Sequence, residues 1–532
     1  MAQKLELTWY GKDNEVNVEK RILIEDKNLS YKKNSNSLFD DAIYDNVLIH
    51  GDNLLALKAL ESEYSGKVKC IYIDPPYNTG SAFEHYDDNL EHSTWLSLMK
   101  PRLESLKRLL SDSGSIWISI DSDESHYLKV LCDEIFGREN FIEEVIWQRS
   151  YAPINLKKTF SRNHDIILVY CKSCQSFNMN MLPRNSEADS RFSNPDNDPR
   201  GPWSSGPIQA GPRNESRVFP IVTPSGRTVL PPPQYCWRFS KEKYEELVAD
   251  NRIYFGPKGD NVPRVKRFLS EVKAGIVPLS LWLREDVGDN QEAKKEIKNL
   301  FKNDVFDTPK PERLIERILT LATNEGDLVL DSFLGSGTTC AVAHKMKRKW
   351  IGIELGNHAY THCKVRLDAV IDGKELGGIT KSSNWTGGGG YKFFELAPTL
   401  INTDIFGEPI INKEYNADML ASAVAIHEGF KYEPDEAVFW KQSKANENSY
   451  LFVTTKHVNE VIVKEIQKQI SEDEYLIIAC KSFDKSAANV SDKIKIKKIP
   501  QMLLGKCEFG RDDYSLNIIN PPVYDDEEDE NE

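Results

Sequence analysis

The stretch Val68-Lys69-Cys70-Ile71-Tyr72-Ile73-Asp74-Pro75-Pro76-Tyr77-Asn78-Thr79-Gly80 decides the fold. Its first six residues form a short, mostly apolar run, as expected of a strand buried on both faces. The prolines end it, because proline has no N–H for a continuing ladder and its ring fixes the backbone. An aspartate just beyond the carboxyl end of such a strand stands where open α/β sheets hold their ligands. The tetrapeptide also admits a plainer reading, a strand-ending turn capped by its aspartate.

Working outward, Val47-Leu48-Ile49 forms an earlier apolar run, and residues 54–60 have helical spacing. Downstream, Trp95, Leu96, Met99, Leu103, Leu106 and Leu110 recur on one helical face. Residues 116–120, 142–147 and 166–170 read as strands, and 126–136 as a helix. Strands alternating with helices predict an α/β fold, a Rossmann-like parallel sheet covered on both faces. From about 171 to 304 the alternation stops and Pro, Gly, Asn and Arg accumulate. That is too long for a structureless loop, so an inserted domain is expected. The pattern resumes at Pro311, a good first helical residue.

The second informative stretch is Leu330-Asp331-Ser332-Phe333-Leu334-Gly335-Ser336-Gly337-Thr338-Thr339, which leads into a helix. A glycine loop between strand and helix lets a ligand approach the backbone closely. Glu354 ends the following strand, about 20 residues on, the spacing of an acid that binds ribose hydroxyls. The third glycine of a dinucleotide fingerprint is missing. A Walker loop is excluded, because none of the Gly-Lys pairs at Gly11, Gly66, Gly373 and Gly505 is followed by Ser or Thr. An adenosine site without a pyrophosphate cradle survives.

Asp-Pro-Pro-Tyr at 74–77 together with Asp-x-Phe-x-Gly-x-Gly at 331–337 resembles the amino-methylating DNA methyltransferases that use S-adenosylmethionine. The order, tetrapeptide first and glycine loop later, resembles their circularly permuted β class. The stretches His50-Gly51-Asp52-Asn53-Leu54-Leu55, Gly114-Ser115-Ile116-Trp117-Ile118-Ser119-Ile120-Asp121 and Phe306-Asp307-Thr308-Pro309-Lys310-Pro311-Glu312-Arg313 are similar to the modification subunits of type III restriction–modification systems. The resemblance covers about residues 45–395; Leu334 departs from it, since small residues are commoner there. It implies catalysis by Asp74, Pro75, Pro76 and Tyr77. It also implies that Phe333, Gly335 and Gly337 shape the cofactor pocket, with Asp331 near the methionine amino group, Glu354 on the ribose and Asp52 near the adenine amine. Thr308, Lys310 and Thr338 are candidates for the carboxylate end. For Asp52 a helix cap is the competing role, and for Lys310 a solvated surface lysine. His164 and Asp165 resemble a family motif near the target base, although a histidine at a strand start also serves structure.

Implied domains are an arm at 1–37, a catalytic half at 38–170, an inserted target-recognition domain at 171–304, a cofactor-binding half at 305–397, a mixed C-terminal domain at 398–524 and an acidic tail at 525–532. The chain has 532 residues and a net charge of -14, which argues against a polyanionic partner only if charge is spread evenly. It is not: the insert is basic, and the tail is almost wholly acidic. Arg200, Trp203, Arg213, Arg217, Arg227, Arg238, Arg264, Lys266 and Arg267 are the candidates for contacting double-stranded DNA; for each charge a solvated face is the alternative.

The resemblance implies adenine-N6 methylation, a homodimer and a separate restriction subunit. Cytosine-N4 transfer uses the same acceptors, and a specificity subunit without catalysis is the reading from another class; aspartate before the prolines leans toward adenine within the family. No apolar run approaches the ~18 residues that cross a bilayer. The N-terminus has no signal core, so a cytoplasmic protein is expected. The nine cysteines read as reduced thiols: only Cys171 and Cys174 have metal-like spacing, without a second pair, and no metal is expected.

Overall fold

The computed structural model describes residues 6–14, 16–33, 45–77, 88–153, 158–184, 189–272, 275–298, 300–301, 306, 308–445 and 448–514. Asn78, Thr79, Gly80, Asp307 and the acidic tail therefore lie outside the described residues.

One sheet organises the larger unit, residues 1–180 with 279–532. Its strands are β1 (Leu23–Glu25), β2 (Tyr31–Lys32), β3 (Asn46–His50), β4 (Val68–Ile73), β5 (Leu110–Ile120), β6 (Phe141–Gln148), β7 (His164–Cys171), β8 (Leu281–Trp282), β9 (Leu328–Asp331), β10 (Lys349–Glu354) and β11 (Gly390–Leu396). They run in the order β1-β11-β3-β10-β9-β4-β5-β7-β6-β8, with β2 also on β11. The protein is thus α/β with a central mixed sheet. β11, β3, β10, β9, β4 and β5 are mutually parallel, whereas β7 lies antiparallel between β5 and β6. The expected wholly parallel sheet is corrected there: β6 and β7 follow each other with no helix among the described residues between them, and they pair antiparallel.

Flanking helices include α1 (Asn53–Tyr64), α2 (Asp88–Leu109), α3 (Ser125–Phe136), α4 (Glu312–Ala322), α5 (Thr338–Lys345) and α6 (Val365–Asp372). Their apolar faces close on the sheet. In α4, Leu314, Ile315, Ile318, Leu319 and Ala322 are buried at the spacing of one helical face. Trp95, Met99, Leu103 and Leu106 of α2 join Ile71, Ile73 and Ile118 in the main core.

The remaining boundaries depart from expectation. The described residues of the 1–37 arm are packed on the fold: β1 and β2 pair antiparallel with β11, and Glu19, Arg21 and Ile22 are buried. Glu19 accepts the Leu400 backbone N–H at 2.7 Å, which secures this segment to the C-terminal region. That region has its own five-stranded sheet, yet one apolar cluster joins Ile22 to Leu400, Val424 and Leu451, and contacts unite it with the larger unit.

The insert is shorter than 171–304: the compact second unit is 181–278. β8 already pairs with β6, and Trp282 stacks on Trp117 at 6.2 Å, so residues from 279 onward belong to the main sheet. Within the second unit, Arg264–Phe268 lies between Trp203–Pro207 and Ile253–Tyr254. Its core holds Ile208, Ile221, Val229, Trp237, Tyr244, Ile253 and Val265.

Among the described residues no helix is long and apolar enough to cross a membrane. Nor do three or more His, Cys, Asp or Glu side chains gather as metal ligands among them. Cys171 and Cys174 stand with their sulfurs 2.8 Å apart.

Candidate active site

β4 and β9 are adjacent parallel strands, so Asp74 just past one and Asp331 at the end of the other emerge at the same sheet edge. Between them opens a cavity of about 620 Å³, the size of a small-ligand site. Asp74, Pro75, Pro76 and Tyr77 form one part of its wall. Thr308, Lys310, Asp331, Phe333, Gly335, Thr338 and Glu354 form another. Two segments far apart in sequence thus share one chamber.

Asp74 is the centre of the first part. Lys310 Nζ donates to its Oδ2 at 2.6 Å, while Oδ1 is buried and accepts no hydrogen bond from the described residues. Trp95 Nε1 donates to the Pro76 carbonyl at 2.7 Å and so holds the rigid turn from behind. Tyr77 is buried; its hydroxyl reaches Asp165 at 3.4 Å and its ring lies 5.1 Å from Lys310 Nζ. Asp165 is held by Arg149 at 2.9 Å, yet burial pushes its carboxyl up to about 6. His164 is exposed at the strand start and does not line the cavity.

The glycine loop provides the second part. Asp331 accepts the Phe333 N–H at 2.9 Å and the Thr339 hydroxyl at 2.6 Å, and burial pushes it up to about 7. Gly335 and Gly337 both have positive φ, 54° and 82°. A Cβ on Gly335 would stand 3.1 Å from Phe306, and one on Gly337 3.3 Å from the Cys363 Cα, so the loop is fitted to glycine. Gly337 caps α5 behind the cavity and does not line it. Glu354 accepts the N–H groups of Gly335 at 2.7 Å and Gly356 at 3.2 Å; burial raises its carboxyl while these bonds oppose the shift. Thr338 is held by Arg366, part of a buried ion network with Glu312, Lys345 and Glu375.

Asp52 is the clearest correction in the larger unit. It caps α1, accepting the N–H of Leu54 and Leu55, and its other oxygen accepts from Arg102 and the Tyr514 N–H. All this leaves Asp52 buried outside the cavity wall. Its neighbours Asn53 and Arg102 line the wall instead, as do Phe306, His358 and Asp513, none of which sequence reasoning singled out. Asn53 could have been reached from the helix start beside Asp52; Arg102 had no signal, being one cation on an amphipathic helix.

In the insert, two candidates are structural. Trp203 is buried, with Nε1 donating to Asp196, so its ring is not available as a wedge or stacking face. Lys266 is 1% exposed and paired with Asp196 and Asp198. Arg200 forms two bonds to Asp198 at 2.9 Å and lies on Phe268. Arg213 pairs with Glu215. Arg217, Arg227, Arg238, Arg264 and Arg267 are exposed. Of these, Arg217 and Arg227 donate to backbone carbonyls and Arg264 to Ser205. Arg238 and Arg267 share a cavity of about 350 Å³ within the insert.

The Asp-Pro-Pro-Tyr turn and the glycine loop face one chamber at the edge of such a sheet, the place where α/β folds hold small ligands, and sequence comparison carries this to a family. A DNA methylase family model of the N6/N4 type matches residues 68–364, and the chain belongs to that family. It is 36% identical to the StyLTI Mod subunit of a type III restriction–modification enzyme of Salmonella typhimurium, over 59% of this chain and 51% of that one. The type II methyltransferase M.EcaI of Enterobacter cloacae is 31% identical over 63% of this chain and 73% of its own. The EcoP15I Mod subunit of Escherichia coli is 25% identical over 77% and 74%. The chain thus spans about half the length of the StyLTI subunit.

Proposed function

We propose that this chain methylates the N6 amino group of an adenine flipped out of double-stranded DNA, using S-adenosylmethionine, as the modification and specificity subunit of a type III restriction–modification system. The observation that carries the chemistry is the divided carboxylate of Asp74: one oxygen bonded to Lys310, the other buried in the cavity and without a partner among the described residues. An exocyclic amine on a base is a poor nucleophile because its lone pair is delocalised into the ring. Asp74 Oδ1 and the Pro75 carbonyl each accept one of its N–H bonds, which draws the nitrogen toward tetrahedral geometry and frees the lone pair. Lys310 fixes the carboxylate and Trp95 braces the turn, so the acceptors are aimed before the base arrives.

Tyr77 provides an aromatic surface beside the same acceptors; stacking of a base contributes about 1–3 kcal/mol, against the few kcal/mol that flipping costs. The cavity residues fit the cofactor: Glu354 retains acceptor capacity for ribose hydroxyls, and the glycine loop admits a ligand without a side chain in the way. When bound, the cofactor supplies an electrophilic methyl on a sulfonium. Proton loss from the methylated amine follows transfer, so Asp74 need not act as a strong base.

In this reading the sheet is the circularly permuted β-class arrangement, with catalytic strand β4 preceding cofactor strand β9 in sequence. The insert is the target-recognition domain; of its candidates, Arg217, Arg227, Arg238, Arg264 and Arg267 are the DNA contacts we retain. The chain acts in the cytoplasm as a homodimer, and it pairs with a restriction subunit, the reading that the StyLTI relative's name as a Mod subunit of a restriction–modification enzyme supports. The test is methyl transfer from labelled cofactor to DNA, followed by nucleoside analysis. N6-methyladenine is expected with the wild type and none with Asp74→Ala, which should still bind cofactor; N4-methylcytosine, or turnover by the variant, would overturn the reading.

A further inference from the structure

Among the exposed arginines of the insert, Arg264 differs in how it is held. It opens the strand Arg264–Phe268, opposite Pro207 on one side and Tyr254 on the other. Its Nε donates to the Ser205 hydroxyl at 2.9 Å, and its Nη2 donates to the Ser205 carbonyl at 3.1 Å. Ser205 belongs to the neighbouring strand Trp203–Pro207 and is itself fixed by the pairing of the two. Two bonds to one such residue set the plane of the guanidinium. Arg217 and Arg227, by contrast, are each tethered through a single terminal nitrogen.

The surroundings leave this cation for an external acceptor. Arg200 sits on Asp198, Arg213 on Glu215, and Arg252 on Asp250 and Glu271. Arg264 has no such carboxylate partner among the described residues. It lines a cavity of about 250 Å³ with Arg191, Tyr254 and Asn261, and the rings of Trp203 and Tyr254 in the same lining pack 4.9 Å apart. A guanidinium carries five N–H groups in one plane. The bonds to Ser205 use the edge made by Nε and Nη2, so the edge made by Nη1 and Nη2 keeps two parallel N–H groups. A phosphate needs only a charge nearby, whereas O6 and N7 of guanine need two donors side by side in a set plane. We propose that Arg264 is a specificity-determining residue that reads one guanine of the target sequence through its Nη1–Nη2 edge, with Ser205 as its positioning residue. This rests on the DNA-recognition role proposed above for the insert.

Methylation of a DNA library of randomised sequence by the full chain, followed by sequencing that reports modified bases, tests it. The wild type should mark a motif that includes an invariant guanine. Arg264→Ala should accept other bases at that guanine, with discrimination there reduced roughly tenfold to a hundredfold, while the remaining positions keep their bases. Ser205→Ala, which removes the anchor of Nε, should give a smaller relaxation at the same position. An unchanged motif in Arg264→Ala, at whatever rate, or relaxation at a base other than guanine, would overturn the assignment. A wild type that methylates without sequence preference, or not at all, would instead remove the recognition reading and this proposal with it.

Discussion

Lys310 Nζ lies 2.6 Å from Asp74 Oδ2 and leaves Oδ1 of the same carboxylate buried without a partner among the described residues. One lysine therefore orients the acceptor without occupying it. Lys310→Met should lower kcat for methyl transfer by roughly 10²-fold, the scale seen when one preorganised electrostatic contact is removed. The change in cofactor KM should be much smaller. Steady-state kinetics on a DNA substrate check this, and a loss confined to KM would assign Lys310 to cofactor binding alone.

The buried Asp331 carboxyl makes stability depend on pH. Its pKa rises from 3.8 to about 7 because burial disfavours the charged form. The folded state then holds a proton that the unfolded state has released across that interval. The Asp331 contribution to stability is fully present below 3.8 and is lost as pH rises from there to about 7. Asp331→Asn, which can keep the Phe333 bond while the Thr339 hydroxyl turns round to accept, should flatten the profile. At pH 8 it should recover about 4 kcal/mol of that loss, set against any weakening of the loop. Denaturant unfolding at a series of pH values reads both curves; parallel slopes would exclude Asp331 as the source.

Two basic residues one position apart in the insert should behave oppositely. Lys266 is buried against Asp196 and Asp198, and Arg267 is exposed. Lys266→Ala should lower the melting temperature, because it removes one of the cations that neutralise the buried Asp198. Arg267→Ala should leave the melt unchanged and weaken specific DNA binding roughly five- to tenfold. Melting curves and DNA titration at fixed salt separate the two, and the reverse pattern would reassign both residues.

Much of the site was legible because its chemistry depends on local backbone constraints. Two prolines after a buried strand and two glycines before a helix restrict the chain wherever they occur, and both motifs face one chamber. Residues whose roles depend on distant partners were not legible. Asp52 is occupied by its own helix and by Tyr514, at the far end of the described chain. Trp203 and Lys266 look like recognition residues in a basic stretch, but a module this small needs large side chains and paired charges for its own interior. The first 37 residues lack periodicity because β1 and β2 are only three and two residues long, too short to display an alternation.

The insert begins and ends at one place: Leu182–Pro183 pairs antiparallel with Gly275–Ile276, and a Cβ on Gly275 would fall 2.3 Å from that of Met181. A module whose ends meet in a ribbon can be exchanged by recombination as a cassette, with no rethreading of the sheet on either side. On the proposed role of the insert, such an exchange changes the DNA sequence addressed in a single genetic event and leaves the turn at Asp74 and the glycine loop intact.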